Sequence, residues 1–150
     1  MQNNSQAPAA IAHIAGAPDS PLSGLVSFFP QERGVLVTAQ IHGLPHEDGP
    51  CASRVFGFHI HEGDACTPPD FESAGGHLDL DGCEHPRHAG DLPPLFGCGG
   101  DAYLSVLTDR FAVPDILGRS VVIHQDPDDF ATQPSGHAGA RIGCGVIRAF

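Results

Sequence analysis

Apolar residues in this chain come in runs of only a few, and glycine (19) and proline (14) break the sequence between them. Dense turn formers separating short apolar runs favour many short strands over long helices. The segments Ala10 to Ala15, Leu22 to Phe29, Val35 to Ile41, Val55 to His61, Ala102 to Thr108, Arg119 to His124 and Gly143 to Phe150 fit that description. In the third of these, Val35, Val37, Ala39 and Ile41 alternate onto one face, which a half-buried strand requires. Two stretches, 62–100 and 125–142, carry little periodicity and many Gly, Pro, Asp and His residues. Irregular loops of that length in a compact domain are usually functional. At 150 residues the chain suits one domain. Seven or eight short strands with two long loops predict an all-β, antiparallel sandwich or barrel over residues 10–150. Residues 1–9, polar and alanine-rich, read as a flexible N-terminal arm.

Charge narrows the partners. The formal net charge is −11, and all seven cationic side chains are arginine. Such a chain repels nucleic-acid phosphates and anionic membrane surfaces, and no apolar run is long enough to cross a bilayer. A small anionic substrate would also be repelled in bulk, so anion chemistry needs a locally positive spot. The N-terminal stretch has no basic region followed by an apolar one. The expected location is therefore cytoplasmic, with a periplasmic or secreted one as the alternative if a leader was removed.

Six of the ten histidines fall where strands meet the long loops. His59 and His61 are one residue apart, so on a strand their rings share a face, roughly 6.5–7 Å apart, while Phe58 and Ile60 face a core. His77, His85, His88 and Asp91 supply three imidazoles and a carboxylate within fifteen residues, a donor set that suits tetrahedral zinc. His124 ends an apolar strand and, with His59, His61 and His77, completes an all-imidazole set of the kind that suits copper(II).

The segments Gly57-Phe58-His59-Ile60-His61-Glu62-Gly63, Gly76-His77, His88-Ala89-Gly90-Asp91-Leu92, Val121-Val122-Ile123-His124 and Gly139-Ala140-Arg141-Ile142-Gly143-Cys144-Gly145-Val146-Ile147 resemble copper/zinc superoxide dismutases, in that family's order. The resemblance implies an eight-stranded antiparallel Greek-key barrel or sandwich, immunoglobulin-like in architecture. It implies one copper ion per subunit on His59, His61, His77 and His124, and one zinc ion on His77, His85, His88 and Asp91, with His77 shared. Arg141 matches the family's active-site arginine, and Asp128 the carboxylate that links the two metal sites. The implied activity is disproportionation of superoxide by copper cycling between Cu(II) and Cu(I), zinc holding His77 and Arg141 docking the anion. Members occur as monomers and as homodimers, and the sequence leaves both open.

Cys66 and Cys144 match the family's intrasubunit disulfide. Cys51, Cys83 and Cys98 remain. Cys51 and Cys98 each lie several extended residues from the metal ligands, roughly 23–26 Å of chain running away from the site. Were a second disulfide to exist, Cys51–Cys98 is the expected pair. The short His85–His88 interval and a short second loop without lysine depart from the animal enzymes, and His137 stands where the family usually has asparagine. The competing reading is a non-catalytic copper and zinc carrier or buffer on the same scaffold. Such carriers usually add a Cys-x-Cys or Cys-x-x-Cys segment, which this chain lacks. A zinc hydrolase is disfavoured, because four protein ligands leave no open position for water.

Overall fold

The structure is a computed structural model, and it describes residues 6–150. Ten strands run β1 (Ala10–Ala15), β2 (Ser23–Gln31), β3 (Gly34–His42), β4 (Val55–Phe56), β5 (Phe58–His61), β6 (Leu95–Phe96), β7 (Ala102–Thr108), β8 (Ser120–His124), β9 (Arg141–Val146) and β10 (Arg148–Ala149). Among the described residues, helix is confined to one 3-10 turn, Glu72–Ala74, and one short α-helix, α1 (Val113–Ile116). All pairing between strands is antiparallel, in the order β5-β8-β9-β1-β2-β3-β7, with β10 joining β1 and with β4 and β6 forming a second, two-stranded sheet. Neighbours that are distant in sequence (β3 with β7, β5 with β8) give the curled, Greek-key all-β arrangement expected from the sequence. Among the described residues, no helix is long and apolar enough to cross a membrane.

Alternation builds the core. Val35, Val37, Ala39 and Ile41 of β3 are all buried, and they face Pro30, Phe28, Val26 and Gly24 across the β2 pairing. Phe28, Phe58, Ile60, Ile116, Ile123 and Ile147 are fully enclosed with them. Burying one such side chain contributes about 1.5–3 kcal/mol.

Two expected elements come out differently. Val55 to His61 is not one strand: it breaks at Gly57, where β4 leaves for the small sheet and β5 stays in the large one. Gly57 donates its N–H to Asp126 O and accepts at its carbonyl from His124 N, and an added Cβ would meet Ala138 Cβ at 2.8 Å. The C-terminal strand begins earlier than expected, at Arg141, and is interrupted at Ile147, whose N–H goes to Arg119 O. Of the expected arm, residues 1–5 lie outside the described part of the chain. Ala9 already joins the sheet, donating to Phe28 O and accepting from Phe150 N.

Candidate metal centre

Strand β5 is the foundation of the site. Its backbone pairs on one side with β8, placing His59 opposite Val122 and His61 opposite Ser120. On its other side the long loop 62–94 folds back along it. Leu78 donates to Ile60 O, Ile60 donates to Gly90 O, and Gly90 donates to Leu78 O, at 2.8, 2.8 and 2.9 Å. These bonds bring His77 opposite His61 and Asp91 opposite His59. Gly90 is required at this point, since a Cβ there would sit 2.2 Å from Ile60 O. What reads in the sequence as an irregular loop is locally a short ladder that carries the candidate ligands His77 and Asp91.

Six imidazoles and two carboxylates meet here. The rings of His59 and His61 lie 6.2 Å apart, and His77 lies 4.0 Å from His59 and 4.8 Å from His61. Donor atoms of His59, His61, His77 and His124 all fall within 4.8 Å of one another, as do those of His59, His77, His85 and Asp91. His88 lies beside the second group, with Nδ1 3.1 Å from Asp91 Oδ2 and its N–H donated to the same oxygen at 2.9 Å.

Hydrogen-bond partners fix which nitrogen is free in five of the six rings, those of His59, His61, His77, His85 and His124. A carbonyl oxygen only accepts, so His61 donates from Nδ1 to Gly75 O (2.9 Å) and His124 donates from Nδ1 to Gly139 O (3.3 Å). Their Nε2 atoms, 3.2 Å apart, then carry lone pairs and face one another without a proton between them. Asp128 receives Nε2–H from His59 at Oδ2 (2.7 Å) and from His85 at Oδ1 (2.8 Å), which leaves both Nδ1 lone pairs pointing inward. His77 donates from Nδ1 to Asp91 Oδ1 at 2.8 Å. The remaining nitrogens, His59 Nδ1, His77 Nε2, His85 Nδ1 and His88 Nδ1, are buried with no hydrogen-bond partner. An unsatisfied buried polar atom costs about 1–3 kcal/mol, so four in one pocket is abnormal for a structural cluster. A cation is the natural partner for converging imidazole lone pairs, and the donor set fits one well.

Electrostatics agree. Burial, reinforced by neighbouring imidazoles and only partly opposed by Asp128, pulls His59 down to about 4. Burial and the nearby His59 bring His124 to about 3, and burial holds His61 well below its ordinary value. These rings are therefore neutral and able to ligate at pH 7. Burial alone would raise Asp128, but the hydrogen bonds from His59, His85 and Phe130 N outweigh it and hold the carboxyl ionised far below the usual aspartate range.

Half-buried Arg141, first in β9, completes the site. Its Nη1 donates to Phe71 O at 2.9 Å and its Nη2 to Gly75 O at 2.6 Å. Gly75 O thus holds Arg141 and His61 together. Burial lowers the guanidinium, while Glu72 and Asp70 work the other way. The segment supplying both carbonyls is tied down by a Cys66–Cys144 disulfide (Cα–Cα 5.6 Å) and by Phe71 and Ala74 packing on Val122 and Cys144.

Cys51, Cys83 and Cys98 are exposed and free, and no Cys51–Cys98 bridge is present. The antiparallel pairing of Val55 with Phe96, and Gly97 N–H on Arg54 O, do bring the two segments alongside one another. Cys51 sits in a left-handed turn (φ 61°) four residues before that pairing starts at Val55, and Cys98 is turned into its own bridge with Asp101. His137 is exposed, also at positive φ (56°). Sequence reasoning missed the acceptors Gly75 O, Gly139 O and Phe71 O, since a backbone carbonyl leaves no side-chain signature. It also missed Gln133 and Arg110, whose side chains hold the backbone of 85–91.

Residues 22–147 match the family model described as copper/zinc superoxide dismutase (SODC). The chain is 37% identical over 150 residues to a superoxide dismutase [Cu-Zn] of Deinococcus radiodurans, covering 85% of this chain and 78% of that protein. It is 33% identical over 152 residues to one of Caulobacter vibrioides (90% and 83% covered). It is 39% identical over 107 residues to the superoxide dismutase-like protein YojM of Bacillus subtilis (61% and 54% covered). Among solved structures, a double mutant of a SOD-like protein from Bacillus subtilis superposes with a TM-score of 0.80 at 29% identity, covering 93% of this chain and 97% of the other.

Proposed function

Because the chain belongs to the copper/zinc superoxide dismutase family, we propose that it disproportionates superoxide: two superoxide anions and two protons give dioxygen and hydrogen peroxide. The observation that carries this reading is the convergence of imidazole nitrogens, four of them buried without hydrogen-bond partners, in a pocket next to a half-buried arginine.

In this reading His59, His61, His77 and His124 would hold copper, and His77, His85, His88 and Asp91 would hold zinc. Copper supplies one-electron chemistry between Cu(II) and Cu(I), and zinc supplies a fixed positive charge that favours deprotonated His77. Asp128 keeps the rings of His59 and His85 in one tautomer and one orientation, as carboxylates do for metal-binding histidines. Arg141 docks the superoxide anion, its guanidinium fixed by the Phe71 and Gly75 carbonyls so that binding requires little reorganisation. His77 Nε2, the atom that has no protein partner, would carry a proton to the departing peroxide only while it is not engaged by copper.

The test is superoxide consumption by protein reconstituted with copper and zinc, together with metal analysis. His124→Ala should lose most activity along with bound copper. Arg141→Ala should keep both metals and lose about tenfold or more in rate, in line with removal of one electrostatic anchor. Full activity in His124→Ala would defeat the copper assignment.

A second reading, a non-catalytic metal carrier or buffer, is favoured by the match to a relative named only dismutase-like. A reconstituted protein that binds both metals yet leaves superoxide untouched would establish it.

A further inference from the structure

His77 and Asp91 are held in place by strand pairing with β5, but His85 lies between them in a turn that pairs with no strand. Among the described residues, neither its N–H nor its carbonyl has a backbone partner. Both are taken by a single side chain from the other long loop: Gln133 accepts from His85 N at Oε1 (2.9 Å) and donates from Nε2 to His85 O (2.7 Å). The primary amide thus pairs with His85 as a neighbouring strand would, with one donor and one acceptor side by side.

That second loop grips the same residue at its ring. Asp128 Oδ1 accepts from His85 Nε2 at 2.8 Å, so three hydrogen bonds from one loop fix the backbone and ring of His85. The loop is itself closed into a compact turn: Gly136 donates to Thr132 O (2.7 Å), and Asp129 donates to Gly136 O (2.9 Å). Gly136 has φ +74° and lies over the Asp128–His85 bond, where a Cβ would come within 2.0 Å of Asp128 Oδ1. Gln133 is held at a fixed spacing from Asp128 by this turn, and its side chain is committed mainly to His85, with a weaker 3.2 Å donation to Ala131 O.

We propose that Gln133 is a positioning residue for the zinc side of the site: it replaces missing strand pairing at His85 and makes the 125–140 loop a clasp on the ligand turn. This rests on the reading of His85 as a zinc ligand. The turn closes on a bond from Arg87 N–H to Glu84 O, which leaves the N–H and carbonyl of His85, inside it, without backbone partners of their own.

The experiment uses the full chain loaded with copper and zinc and challenged with a zinc chelator, following zinc release and the visible copper absorption together. Gln133→Met keeps length and removes both hydrogen bonds. Gln133→Glu keeps the acceptor and removes the donor. The expected result is zinc release about tenfold or more faster in Gln133→Met, the range seen when groups supporting metal ligands are removed. Gln133→Glu should fall between it and the parent, and the copper absorption should persist in both. Zinc release at the parent's rate, or loss of copper and zinc in equal measure, would overturn the proposal. If Gln133→Met does not fold, Gln133→Glu is read by the same criteria. A parent protein that takes up no zinc would overturn the zinc assignment itself, a failure visible before any variant is compared.

Discussion

Asp128 accepts an imidazole N–H at each of its two oxygens, and both rings depend on it for their tautomer. An asparagine there would present an N–H to one of those rings in place of an acceptor. Asp128→Asn should therefore lower affinity for at least one metal by about 10–100-fold, measured by competition titration with a chelator. The same cluster makes the metal-free protein sensitive to acid. His59 titrates near 4 and His124 near 3 in the fold, against about 6.5 in an unfolded chain. The unfolded state thus binds more protons as pH falls from 6.5 toward 4, and stability drops across that window. Asp128 and Asp91, both held below their ordinary values, contribute stability that survives until pH falls through the carboxylate range, so they do not alter the sign. Urea midpoints of the metal-free protein should fall between pH 7.5 and pH 5, and equal midpoints would contradict the burial of neutral imidazoles. At this scale the sequence was generous with side chains and silent on backbone. His-x-His on a strand and the His/Asp spacing of the loop bring the candidate ligands into view. Gly75 O, shared by His61 and Arg141, has no counterpart in residue type.

Between residue and molecule stands the 66–75 segment. It is bound to β9 by the Cys66–Cys144 disulfide, which spans 78 positions. In the chain-entropy model a closed loop of that length contributes about 4.5 kcal/mol. The segment also presents the carbonyls that fix Arg141. Replacing both cysteines with alanine should lower the thermal midpoint and reduce superoxide consumption while metal content stays close to the parent's. Loss of the metals instead would place the bond's role at the ligands. The strands were largely legible because alternation reports burial directly, as in β3. The break at Gly57 was not, because a continuous apolar run hides which of its residues answer to Asp126 and His124 across space. Nor was the ladder along β5 visible, since isolated backbone pairs create no period.

Over the whole molecule, charge works against the anion. Net charge is −11, lysine is absent, and Asp70 and Glu72 flank the carbonyl that holds Arg141. Raising ionic strength from about 0.01 M to about 0.15 M shortens the screening length from roughly 30 to 8 Å, which weakens the distant repulsion more than the local attraction of Arg141. Superoxide consumption by the loaded protein should accordingly rise with added salt, followed by steady-state decay at constant pH. A fall would mean that the positive field at the mouth of the pocket reaches farther than the acidic surface does.

The bonds among Ile60, Leu78 and Gly90 have a last consequence. They involve no ligand atom, so the scaffold is expected to form without an ion. Loading then demands little ordering of the chain, and its speed is governed by ion delivery and the ease of desolvation, in the manner of a lock already cut. Slow deuterium uptake at those three amides in the ion-free state would be its fingerprint.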